Sequence, residues 1–146
     1  MAAGVYVAQM EGVSVSASKT LVELGAPSSA VVRVLRAWIG NTDVETSNQL
    51  RVQILRQSAS GTGTSFTPKP LTSTATAGAT CETNCTAEGT AGNILVDEGF
   101  NILNGWLWVP TPEERIVIPP SGFLGLKLAS APASAVVLSA GFIFEE

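Results

Sequence analysis

Residues 103–128 read LNGWLWVPTPEERIVIPPSGFLGLKL, and this stretch decides the fold class. Leu124, Leu126 and Leu128 recur at every second residue, as do Trp106 and Trp108. Side chains two apart leave one face of an extended strand, whereas an amphipathic helix needs spacings of three and four. Gly and Pro punctuate the runs, so Leu103–Val109, Arg115–Ile118 and Phe123–Leu128 read as three short strands separated by turns.

The same grammar extends outward in both directions. Ile94–Asp97 and Ala135–Phe144 flank the stretch, and upstream Val5 with Val7, Val13 with Val15, and Leu50, Val52 and Ile54 keep period 2. Ser29–Ile39 places Val31, Val34, Leu35 and Trp38 at helical spacing, but its β-branched content and the Gly40-Asn41 turn favour a strand. Ala30–Ile39 and Gln49–Gln57 are expected to form a hairpin across a polar loop, Asn41–Asn48, that carries Asp43 and Glu45. Between them and the C-terminal strands, residues 58–92 are dominated by Ser, Thr, Gly and Ala and contain no Val or Ile. This segment is expected to be a long loop or insertion that adds little core, with a weak edge strand at Leu71–Thr76 behind Pro68 and Pro70. The expectation is an all-β chain: one two-sheet sandwich domain over 1–146, jelly-roll-like, with about eight strands. An immunoglobulin-like or other Greek-key order fits the same pattern. Residues 1–18 fit either an arm laid on a neighbouring subunit or an edge strand of the chain's own sandwich.

Charged residues are only 14% of the chain, against about 25% in an average soluble protein, while hydrophobic ones are 45%. The longest nearly apolar run, Ala135–Phe144, is well short of the ~20 residues of a spanning helix, so no membrane partner is expected. No basic leader precedes Lys19. A surface so poor in charge is covered by small polar residues or by other subunits. The net charge of −4 argues against nucleic acid, although Arg33, Arg36, Arg51 and Arg56 fall close together.

The chain has no histidine, which removes Ser-His-Asp and Cys-His chemistry and the commonest general base. Asp97-Glu98 and Glu113-Glu114 are the candidate carboxylates, but neighbours on a strand point to opposite faces, and no EF-hand spacing surrounds them. They read as turn acids, and no catalytic residue, metal or cofactor is expected. Cys81 and Cys85 are too few ligands for a zinc site; they form either a small disulfide loop or a pair of free thiols. Trp106 and Trp108 share one strand face. They suit a core, a subunit interface or an aromatic platform for sugar rings.

Gly105–Pro110, then Arg115–Gly122, then Leu124–Leu128 and the closing Gly141–Glu146 resemble, as a pattern of strands and turns, jelly-roll virion proteins of tailed bacteriophages. In particular they resemble the cement or decoration proteins of icosahedral heads; the Arg51–Arg56 strand and the Gly/Thr/Pro-rich stretch after it share the likeness. The resemblance implies a homotrimer, made in the host cytoplasm and mounted on the capsid surface. There it clamps neighbouring major capsid subunits, with no catalytic residues or cofactors. Its interface candidates are Val5, Val7, Trp38, Trp106, Trp108, Phe142 and Phe144. The contrasting expectation is a glycan-binding or adhesive module using Trp106 and Trp108.

Overall fold

The computed structural model describes residues 4–43, 46–72 and 74–146. In chain order the strands are β1 (Val5–Val15), β2 (Lys19–Gly25), β3 (Val32–Asn41), β4 (Gln49–Ala59), β5 (Thr62–Ser65) and β6 (Lys69–Pro70). They continue with β7 (Thr80–Ala87), β8 (Thr90–Asn101), β9 (Trp106–Trp108), β10 (Val117–Ile118), β11 (Phe123–Leu128) and β12 (Val136–Glu145). One 3-10 turn, Pro112–Glu114, separates β9 from β10.

Sheet A runs β10-β3-β12-β1-β6, with β9 also on β3; sheet B runs β5-β7-β2-β11-β4-β8. Every pairing is antiparallel. Setting β5–β7 aside and counting β9 and β10 as one interrupted strand leaves two four-stranded sheets, β1-β12-β3-β9/β10 and β2-β11-β4-β8. That is the eight-strand order of a jelly roll, with β5–β7 inserted between β4 and β8.

The core lies between the sheets and follows from alternation. Tyr6, Ala8 and Met10 of β1 face inward together with Leu138, Ala140, Phe142 and Phe144 of β12. Opposite them stand Leu24, Val52, Ile54, Leu124 and Leu126. The period slips once on β1: a bulge between Met10 and Val13, where Gly12 takes φ +57°, turns Val15 inward although Val5 and Val7 face out. A residue in that left-handed conformation is tolerated because it has no Cβ.

Two expectations are corrected. β3 and β4 do not form a hairpin: β3 pairs with β12, β9 and β10 in sheet A, while β4 pairs with β11 and β8 in sheet B. The loop joining them crosses between sheets, and period-2 alternation is identical for a strand that pairs with its neighbour and one that faces it across the core. Glu45 of that loop lies outside the described residues.

The segment 58–92 is strand-rich. β7 pairs with β2 and β5, and Ala79 and Cys81 join the core, whereas Leu71–Thr76 forms no strand among its described residues, Ser73 lying outside them. The ladder here is built from threonines and cysteines, which fit a strand as well as Val but leave no apolar signal. Of the two readings of the N-terminal segment, the strand of the chain's own sandwich describes residues 5–15, which pair with β12 along their length; Ala2 and Ala3 lie outside the described residues.

Candidate functional site

The interface candidates separate into two groups. Phe142 and Phe144 are 0% exposed, and Phe144 stacks on Tyr6 with ring centroids 5.6 Å apart. Both belong to the core and leave the list of contact residues. Trp106 is 8% exposed and also packs in the core, with Trp108 against it. The β9 pair therefore points inward and offers no exposed platform for sugar rings; the intervening Leu107 and the following Val109 point out, 62% and 64% exposed.

Val5, Val7 and Trp38 do lie on the outer face of sheet A, each half-buried. Trp38 is cross-strand to Gly141 on one side and to Leu107 on the other. A Cβ at Gly141 would fall 2.7 Å from both the Trp38 ring and the Ala8 carbonyl oxygen. Only glycine lets the indole lie down on the sheet here, and Arg36 then sits 5.2 Å above the ring. The outer face of sheet A is thus partly sealed by its own tryptophan.

Of the large apolar side chains that are exposed, all but Val31 and Leu71 fall between residues 94 and 117: Ile94, Leu95, Leu103, Leu107, Val109 and Val117. These lie on one side of the sandwich. β1 and β12 stack over β7 and β2, which puts the β8 edge of sheet B beneath the β9/β10 edge of sheet A. Arg56 of β4 ties the two edges by donating from Nη1 to the Val117 carbonyl at 2.8 Å.

The charged groups of this wall carry both signs. Asp97 accepts two bonds from Arg51, 2.7 Å from Nε and 2.5 Å from Nη2, and that hydrogen bonding holds its carboxyl below the usual range. Glu98, Glu113 and Glu114 have no ion-pair partner among the described residues, nor do Arg36, Arg56 and Arg115, and the buried Nε of Arg115 finds no acceptor. Among the described residues no group of three or more His, Cys, Asp or Glu is placed to hold a metal ion.

Sequence reasoning overlooked one polar group altogether. Glu23 on β2 is 2% exposed, yet its Oε1 accepts the Ser60 hydroxyl at 2.6 Å and its Oε2 the Gly61 amide at 2.8 Å. It holds the β4–β5 turn over the outer face of sheet B, where that turn meets the β7–β8 turn. There a Cβ on Gly61 would come within 2.5 Å of the Ala87 carbonyl oxygen, and one on Gly89 within 2.4 Å of that of Ala59. The available signal is a single acid within the apolar run Leu21–Leu24.

Cys81 and Cys85 are free and buried. Four residues along a strand place their Cα atoms well beyond the ~7 Å that a disulfide spans. Burial pushes both thiols up to about 12, with Glu82 and Glu23 respectively the next contributors. A raised thiol pKa stabilises the fold while the unfolded-state thiol is still protonated. That stabilisation is lost as pH climbs from the ordinary thiol range toward about 12. The native chain is expected to resist thiol reagents near pH 8 and to react fully once unfolded in guanidinium. A Cys81→Ala/Cys85→Ala variant is expected to show a shallower alkaline fall in the urea midpoint. Rapid labelling of the native protein contradicts the burial.

Comparison with protein-family models, with curated proteins and with solved structures finds no match to this chain.

Proposed function

We propose that this chain is a structural virion protein, a cement or decoration subunit. It binds the outer surface of an icosahedral phage head as a homotrimer and stabilises contacts between major capsid subunits. The observation that carries the reading is the pairing of a jelly-roll sandwich with exposed apolar side chains gathered on one side of a chain that is only 14% charged. A soluble monomer normally breaks up such a surface, and an assembly part uses it. The resemblance of the Gly105–Pro110, Arg115–Gly122 and Leu124–Leu128 pattern to decoration proteins gives the reading its particular form.

The buried acid Glu23 and the ion-paired Asp97 serve the scaffold in this view, holding a turn and an edge strand. Attachment rests on apolar area and backbone pairing, so it should survive salt that screens exposed charges. The test is a quantitative mass-spectrometric copy count in purified genome-filled particles, relative to the major capsid protein, before and after a high-salt wash. Hundreds of copies retained through the wash is the expected result. A handful per particle, or complete stripping by salt, counts against a cement role.

A further inference from the structure

We infer that the wall formed by the edges of β8, β9 and β10 is the surface through which this chain packs against further copies of itself around a rotation axis. The inference rests on the self-association in the proposed function and says where it occurs.

Two edges run along this wall. β8 is a 12-residue strand with no partner on its outer side among the described residues, about 40 Å long at the usual rise per residue. Proteins that stay monomeric blunt such edges. The half of β8 before Val96 is bulged against β4, and Ile94 and Leu95 stand out from it. The edge of sheet A above it is made by two short strands, three and two residues long, and Leu107 and Val117, cross-strand to Trp38 and Arg33, stand exposed on the outer face along that margin, with Val109 exposed just beyond β9. Together the edges make a strip about 40 Å by about 20 Å, or ~800 Å² per subunit, which a closed ring divides between its two neighbours.

The charges argue for a second copy as the occupant. Asp97, Glu98, Glu113 and Glu114 lie along the strip with Arg51, Arg56 and Arg115, and most of them lack an ion-pair partner among the described residues. A partner of one sign would repel half of these groups, whereas an identical wall brings both signs. Rotation about an axis sets the acids of the Pro112–Glu114 turn toward a neighbour's guanidiniums. Leu71, the exposed apolar residue at the far side beside β6 and β1, takes no part.

Sedimentation equilibrium of the full chain tests this. The wild-type chain is expected to associate as a trimer. Leu107→Glu and Ile94→Glu are each expected to weaken that association at least thirtyfold, about the effect of one central contact residue, and Leu71→Glu to leave it unchanged. Urea midpoints establish that each variant folds, and Leu107→Ser with Val109→Ser replaces any that does not. Wall variants that associate like wild type while the wild-type trimer persists overturn the assignment and leave the trimeric reading standing. A wild-type chain that is monomeric at high micromolar concentration overturns both, whereas a low particle copy number beside an intact wall-dependent trimer overturns only the capsid reading.

Discussion

Phe142→Ala is expected to lower the folding stability by about 3–5 kcal/mol, a large share of the roughly 5–15 kcal/mol available to a domain of this kind. Phe142 sits on β12, the strand between β1 and β3, and its cross-strand partners are Ala8 on one side and Ala37 on the other. The ring overhangs two side chains too small to follow it when it is removed. The cavity therefore stays open, and the cost falls toward the upper end of the range. Urea unfolding followed by tryptophan fluorescence reads the change as a lower midpoint with an unaltered slope. A loss below about 1 kcal/mol, together with weakened association, would restore Phe142 to an interface and refute its place in the core.

Glu23→Ala comes second, with an expected loss of about 2–4 kcal/mol. A carboxylate is costly to bury, and Glu82 lies directly across the strand pair from it, which adds repulsion. Against this, the buried carboxylate accepts from a hydroxyl and a backbone amide, and hydrogen bonds to a charged group contribute about 1.5–3 kcal/mol each. The truncation removes both and leaves the Gly61 amide without an acceptor. Glu23→Gln keeps the length and one acceptor oxygen, so it is expected to recover roughly half of the loss. Hydrogen exchange at Gly61 should accelerate in the alanine variant. An alanine variant as stable as wild type, with Gly61 still protected, would show that repulsion from Glu82 cancels the bonds.

The two replacements also mark where the sequence is readable. β11 spans Phe123–Leu128, the same bounds that its alternating leucines imply, because one of its faces carries the core and the other Gly125 and Lys127. β2 has no such alternation. Thr20 through Leu24 are all buried, the inner side by sheet A and the outer side by the Ser60–Gly61 turn, so a strand covered on both sides reads as a featureless apolar run. β12 presents the opposite difficulty. Val137 and Ile143 alternate with Leu138, Phe142 and Phe144, so both of its faces are apolar and the pattern does not say which is inside.

Trp106 and Trp108 are correctly placed on one face, but the direction of that face depends on β9 pairing with β3, a contact between residues far apart in sequence. The wall is legible only as a low charge count. Its residues are ordinary Leu, Ile and Val until the fold brings two sheet edges to one side.

The insertion between β4 and β8 leaves and re-enters the roll at a single point, since Ala59 and Thr90 are cross-strand partners. The described residues from 60 to 89 therefore form a closed excursion on a continuous hairpin, and its strands β5 and β7 lie at the edge of sheet B away from β8. Because β7 pairs with β2, Ala79 and Cys81 join the core and the Ser60–Gly61 turn satisfies Glu23, the excursion is bound to the frame, and changes in its length are confined to the stretches between these contacts.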